Sequence, residues 1–464
     1  MGSIYAQGNI WSLKRCLDYA KETNITLQQA ELNTQSSQIA LTQSKAARMP
    51  NLNGNINGGN NFGYSVNPFT NQFQSQSIQS LNAGIGSNVT LFNGFRISNT
   101  IKQSQIDLNV NELNQKQAEY DLALNVTLAY LNILRNGEIV ESAELQVNST
   151  KEQLERTSKL VRAGSLAQAD LIQLESQLAT DELQLVNAQN QLAMSYLTLQ
   201  QILRLDPNDA FGIEKPDLPD PELGLLKSSA YEIYQVAEAT QPFIESADLN
   251  VKSAGLGIEI AKAGLRPSLT ASANAGTGYA SGRQIPIGTE NKSVTTSVDV
   301  SINGGEVIPA EITTTQPSLI YDSYSFQDQM IDNIGGSVSL SLNFPIYNRS
   351  QNKSNIQRSE LALQNAQLIA ESQRQLLEQT IQQAYLDAKS AYSSYTSTMK
   401  QVEALKLTFE NTEKQFNLGV ANSTEYLLAT NNLNRARNDL VRNKFNYIFR
   451  TKVLDFYQGK PLGL

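Results

Sequence analysis

Four stretches of the chain alternate strictly between polar and apolar residues, the period-two signature of strands with two unlike faces. In the stretch from Asn82 to Phe92, Ala83, Ile85, Val89 and Leu91 alternate with Asn82, Gly84, Gly86, Asn88 and Thr90. Val338, Leu340, Leu342, Phe344 and Ile346 do the same against Ser337, Ser339, Ser341 and Asn343. Leu269, Ala271, Ala273 and Ala275 oppose Ser268, Thr270, Ser272 and Asn274, and Leu52 and Ile56 oppose Asn53, Asn55 and Asn57. The pattern predicts strands over about 51–63, 82–92, 268–278 and 335–347. Between them it predicts a loop over about 60–80, carrying Phe62, Tyr64, Phe69 and Phe73, and a longer one over about 278–333.

Elsewhere the period is helical. Proline-free stretches over about 98–162 and 350–417 predict two helices of roughly 100 Å at 1.5 Å per residue. Each ends at a glycine, Gly164 or Gly419, and a return helix follows, giving hairpins over about 98–205 and 350–457. On the returns, Leu171, Leu178, Leu185, Leu192 and Leu199, and likewise Tyr426, Leu433, Leu440, Tyr447 and Leu454, recur every seven residues. That spacing predicts left-handed coiled-coil packing. Ile172, Ala179, Val186 and Ala193 form a second stripe, wide enough to touch more than one neighbour.

The chain is written twice. Ala129-Tyr130-Leu131 recurs as Ala384-Tyr385-Leu386, Lys159 as Lys414, Gly164 as Gly419 and Phe92-Asn93 as Tyr347-Asn348, each pair 255 residues apart. Pro50 and Pro267 are 217 apart, so the second copy carries 38 extra residues in its strand region. Repeats over 9–206 and 228–464 flank a proline-broken linker at 207–227. Residues 1–8 read as a tag, Met1-Gly2-Ser3, followed by the remnant of a cleaved export signal, Ile4-Tyr5-Ala6.

Composition removes most chemistry. No histidine and a single cysteine, Cys16, leave no Ser-His-Asp triad, no Cys-His dyad, no histidine-ligated metal and no internal disulfide. Cys16 lies at helical spacing with Leu13, Leu17 and Ala20, where packing is its natural role. With 36 basic against 44 acidic residues, the net charge of −8 argues against nucleic acid as a partner. No phosphate-binding loop is present, and Gly276-Thr277-Gly278-Tyr279 lacks the spacing of a dinucleotide turn. The expectation is a protein without enzymatic activity, cofactor or metal.

Two-faced strands suit a sheet between lipid and water, but four cannot close a barrel, and open edges in hydrocarbon leave backbone groups unsatisfied. Other copies must complete it: two, three or four chains give eight, twelve or sixteen strands. A soluble coiled-coil scaffold explains the heptads but not the strands. A periplasmic adaptor has one helical hairpin where this chain has two.

The order of helix pair, Arg-x-Pro turn, two strands ending in Leu91-Phe92-Asn93-Gly94-Phe95-Arg96, long helix, glycine turn and return helix, performed twice, resembles the TolC family of outer-membrane factors. The segment Phe416-Asn417-Leu418-Gly419-Val420-Ala421-Asn422-Ser423-Thr424-Glu425-Tyr426-Leu427 resembles the signature at the end of that family's helical hairpin. The resemblance implies a homotrimer, a twelve-stranded β-barrel in the outer membrane continued by a twelve-helix periplasmic α-barrel. It also implies an inner-membrane transporter met through a periplasmic adaptor, and passive efflux of drugs or other small molecules. Protein secretion and metal efflux use the same kind of duct.

On this reading Ala83, Ile85, Leu340 and Leu342 face outer-membrane lipid, and Asn88, Ser339 and Ser341 face the lumen. The hairpin tips, Gly164, Ser165 and Leu166 with Gly419, Val420 and Ala421, are the expected adaptor-docking sites. Asp170 and Glu425, each six residues beyond its glycine, are the expected periplasmic aperture. In the family a basic residue just after the second glycine joins that constriction, but Val420, Ala421, Asn422 and Ser423 supply none. An acid early in a helix is also favoured by the helix dipole alone, at about 0.3–1 kcal/mol.

Overall fold

The computed structural model describes residues 10–66, 73–206, 208–216, 228–302, 304 and 306–460. The expected tag and export-signal remnant, Phe69 and most of the linker lie outside the described residues. The chain divides into a helical unit (Met1–Thr42, Ile101–Ile258, Gln357–Leu464) and a strand-rich unit (Gln43–Thr100, Glu259–Ile356). Sequence periodicity separates the same two kinds of structure.

Helices α1 (Leu13–Thr23), α2 (Ile25–Ala46), α3 (Arg96–Arg162) and α4 (Gln168–Leu203) belong to the first repeat; α5 (Ala230–Thr240), α6 (Pro242–Lys262), α8 (Gln351–Asn417) and α9 (Ser423–Tyr457) belong to the second. The short α7 (Phe326–Asp332) lies between them in the chain. Helices α3 and α8 have 67 residues each, about 100 Å of helix.

The repeats are legible in their caps and cores. Ser12 caps α1 by accepting from the Arg15 amide at 3.3 Å. Ser229, 217 residues on, caps α5 in a full capping box with Glu232. In the first repeat Cys16, Ala20, Val126, Tyr130, Ile133 and Leu199 build one core; in the second Ile233, Ala237, Leu377, Ile381, Ala388 and Leu454 build another. Cys16 therefore occupies the place of Ile233 and packs as a small hydrophobe. Burial pushes its thiol up to about 12, against a smaller opposing effect of the Arg15 charge.

A minimal parallel sheet, β1 (Ile10–Trp11) with β4 (Gly212–Ile213), ties the start of the first repeat to the linker that follows it. Tyr130 lies beneath it and donates its hydroxyl to the Glu214 carbonyl at 2.6 Å. Two-residue strands carry no periodicity, so nothing in the pattern announces this sheet.

In the strand-rich unit β2 (Asn53–Val66), β3 (Phe73–Asn93), β5 (Ser268–Ala280) and β8 (Gly335–Asn343) form an antiparallel sheet in the order β2-β3-β5-β8. Two corrections to the sequence reading follow. The expected loop at 60–80 is largely strand: Phe62 and Tyr64 of β2 pair with Ser77 and Ser75 of β3. The expected loop at 278–333 holds a long hairpin, β6 (Gln284–Ile302) with β7 (Glu306–Ser323), followed by α7. Gly, Asn, Gln, Ser and Thr dominate both stretches, so strand propensity is weak and the ladder with a neighbouring strand decides the conformation.

Candidate functional site

The register sorts the sheet into two chemically distinct faces. Ile56 pairs with Ala83, Ile85 with Ala275, Val89 with Ala271, and across the next ladder Leu269, Ala271 and Ala273 meet Leu342, Leu340 and Val338. Directly opposed residues share a face, so these side chains form one apolar surface across all four strands. Ile85, Leu340 and Leu342 are more than half exposed on it. Asn88 pairs with Ser272, which pairs with Ser339; Thr270 pairs with Ser341. These line the opposite, polar face, where the Ser272 and Ser339 hydroxyls lie 2.7 Å apart.

One sequence-level face assignment fails. A bulge between Thr90 and Phe92 sets Phe92, not Leu91, opposite Leu269. The extra residue breaks the alternation and turns Phe92 onto the apolar face. There its ring meets Phe95 at 5.4 Å, while at the other end of the sheet Tyr64 stacks on Phe73 at 6.1 Å. Phe92 and Phe95 thus close one end of the apolar band, as an aromatic girdle does in a membrane β-sheet, whereas Tyr64 and Phe73 lie well past its other end, beyond Ser75, Ser77 and Gln79 of the same face.

Among the described residues β2 and β8 each pair on one side only. Three antiparallel pairings separate them, so they run in opposite directions. One chain's β8 can therefore join another chain's β2 antiparallel, as an even-stranded barrel requires.

The helical hairpins end alike. At the first turn the Ser165 amide donates to the Leu160 carbonyl at 2.9 Å and Gly164 to Val161 at 3.0 Å; at the second, Val420 donates to Gln415 at 2.9 Å and Gly419 to Phe416 at 3.0 Å. Both are Schellman caps, with Gly164 at φ 73° and Gly419 at φ 75°. A Cβ at either would meet nothing within 4 Å, so backbone conformation, not space, demands glycine.

Asp170 and Glu425 sit at the N3 positions of α4 and α9. Asp170 accepts from the Ala167 amide at 3.2 Å; Glu425 accepts from Asn422 at 3.2 Å and donates its own amide to the Asn422 side chain at 2.9 Å. The residues expected to dock a partner do not behave alike. Ser165 and Val420 are exposed and Leu166 half-buried, but Ala421 is buried against Phe416 and Tyr426, whose rings stack at 5.0 Å. That apolar cluster covers Ala421 and leaves Leu418 and Val420 exposed outside it. Burial raises the Tyr426 phenol, with a smaller contribution from the Glu413 charge.

Periodicity did not reveal a buried acid. Asp181 of α4 is 3 % exposed and accepts from Thr150 at 2.7 Å, Gln177 at 2.8 Å and Gln146 at 3.0 Å. Gln177 in turn accepts from Asn431 of α9 at 3.0 Å, and Gln146 accepts from Asn434. The equivalent of Asp181 in the second repeat is Ala436, also buried. The repeat symmetry breaks here, and comparing positions 255 apart is the sequence signal that would have found it.

An amphipathic sheet open at both edges, flanked in sequence by paired helical hairpins, defines a subunit of a β-stranded membrane channel. The chain matches the family described as "Outer membrane efflux protein" over residues 16–203 and 323–451, and it belongs to that family. It is similar to outer membrane protein TolC of Escherichia coli (strain K12), 23 % identical over 394 residues that cover 79 % of this chain and 71 % of TolC. Against outer membrane efflux protein BepC of Brucella suis biovar 1 it is 19 % identical over 415 residues, covering 89 % and 77 %.

Among solved structures, the outer-membrane channel OprN superposes with a TM-score of 0.75 at 15 % identity, covering 99 % of this chain and 94 % of that one. The open-state MtrE channel of Neisseria gonorrhoeae superposes at 0.71 with 19 % identity, covering 97 % and 89 %. The chain is thus an efflux duct protein of the bacterial outer membrane, reaching into the periplasm. Its family is one of channels.

Proposed function

We propose that three copies of this chain close into a twelve-stranded barrel, with Ala83, Ile85, Leu340 and Leu342 toward lipid and Asn88, Ser339 and Ser341 toward a water-filled lumen. The pair of open, oppositely directed edges carries this reading. An edge such as β2, 14 residues long, leaves about seven N–H and seven C=O groups unpaired, at several kcal/mol each in hydrocarbon. A neighbouring copy relieves them.

The helical stripes support the same conclusion. Ile172 and Val186 on α4, and Leu361, Leu368 and Leu376 on α8, are all at least half exposed in the single chain. Apolar rows of this kind are what the neighbouring hairpins of a helical wall would cover.

The duct is passive and transforms nothing chemically; an inner-membrane transporter supplies the energy through a periplasmic adaptor. The adaptor docks at the two hairpin tips, on Gly164, Ser165 and Leu166 and on Gly419 and Val420. Exposed Leu418 and Val420 support that site. Asp170 and Glu425, at equivalent positions beside the tips, form a ring of six carboxylates at the periplasmic mouth, and Asn422 is already committed to Glu425 of its own chain. Detergent-corrected light scattering should give the mass of three chains; a folded single chain would refute the assembly.

A further inference from the structure

The 38 residues that set the second strand region apart from the first contribute to the β6–β7 hairpin, and its outer half has two unlike faces. Val294, Val298 and Val300 pair with Thr314, Ala310 and Ile308, and Ile312 pairs with Thr296, giving a face without charge over 294–300 and 308–314, short of the last pair of the ladder, Ile302 with Glu306. The other face carries Asp299 and Glu311, together with the Thr295 and Thr313 hydroxyls 3.1 Å apart. Val294, Val298, Val300, Ile308 and Ile312 are 39 to 47 % exposed.

The hairpin is firmly rooted. The Gln329 side chain of α7, fully buried, accepts from the Ala280 amide at 3.0 Å and donates to the Ala280 and Tyr324 carbonyls at 3.2 and 2.7 Å. Thr277 donates to the Met330 carbonyl at 2.7 Å. From this root the ladder runs nearly 20 residues, about 60 Å at strand rise.

Lipid tails are not the occupant of the apolar face. Among the described residues β6 and β7 pair only with each other, so hydrocarbon would meet two open edges. The polar face cannot be where copies meet either, because Asp299 and Glu311 of several chains would repel. The hairpin leaves from the end of β5 and returns through α7 to β8, the edge strand at the copy-to-copy seam. Assembly therefore brings identical uncharged faces together around one mouth.

We infer that the outer halves of the β6–β7 hairpins from neighbouring copies pack against one another through Val294, Val298, Val300, Ile308 and Ile312, forming a collar over the outer opening of the duct. This rests on the assembly proposed above. It predicts that Val298→Cys and Val300→Cys, oxidised with diamide in membranes, give disulfide-linked dimers on a non-reducing gel. The yield should be about tenfold above Ser297→Cys on the polar face, because tethering within one assembly raises the effective concentration. Cys16 is buried and adds no background.

Equal yields at Ser297 and Val298, or no cross-link at either valine in protein whose detergent-corrected mass is three chains, overturns the collar and leaves the assembly standing. A mass of one chain overturns both.

Discussion

Ile85→Arg tests the face assignment at its most sensitive point. On β3 the apolar face runs from Leu81 to Phe92, and Ile85 lies near its middle, between Gly54 and Ala275. Phe92 is seven residues away but, with the bulge at Leu91, six ladder steps, about 20 Å along the strand, or roughly 16 Å in depth at a 40° tilt and so close to the middle of a band about 25 Å tall. At that depth an arginine on the lipid face costs about 2–4 kcal/mol. That is about 30- to 700-fold in the folding equilibrium, at about 1.4 kcal/mol per decade.

Leu340 pairs with Ala271, beside Val89 and so only three residues from Phe92. Leu340→Arg should therefore cost less, because the penalty falls toward the interface. Ser339→Arg points its charge into water and loses one hydroxyl contact with Ser272, a change of about 1 kcal/mol. Urea titration in lipid vesicles, read by loss of protease-resistant barrel, should rank the three as Ile85→Arg worst, Leu340→Arg intermediate and Ser339→Arg mildest. If Ser339→Arg proves as damaging as Ile85→Arg, the lipid and water faces have been assigned wrongly.

Other consequences are simpler to check. Gly164→Ala and Gly419→Ala should each lower stability by about 1–2 kcal/mol in thermal unfolding, since alanine is strained at positive φ, and asparagine should recover part of that loss. Cys16, buried and with its thiol pushed up to about 12, should resist maleimide at neutral pH until the protein is unfolded. Asp181→Leu should cost about 1–3 kcal/mol more than Asp181→Asn in chemical unfolding, because it strips the acceptor from Thr150, Gln146 and Gln177 together. In planar bilayers, Asp170→Asn combined with Glu425→Gln should reduce cation selectivity and divalent block; unchanged values would move these acids away from the constriction.

The fold class was legible because both periodicities are strong: alternation at Ser337–Asn343 and the heptads from Leu171 to Leu199 each bury or expose a whole face at once. What stayed hidden lacks a period. The bulge at Leu91 is a one-residue slip inside an otherwise regular strand. The hairpin from Gln284 to Ser323 is written in threonine, serine and valine interrupted by prolines at 286, 309 and 317. The hairpin-end acids stand out by their equivalent positions, and the structure engages both carboxylates in helix caps. Asp181 escaped because two of its partners, Thr150 and Gln146, lie 31 and 35 residues back on α3, outside any helical period of α4.

The paired open edges of the sheet also govern how a faulty copy behaves. A chain that keeps one sound edge but loses the other still enters a ring, occupies a seam and prevents its closure. Harm therefore spreads to the normal subunits it joins. With equal synthesis of normal and defective chains, random mixing in the proposed ring of three would leave only about one assembly in eight wholly normal. A recessive lesion in a monomeric barrel becomes a dominant one here.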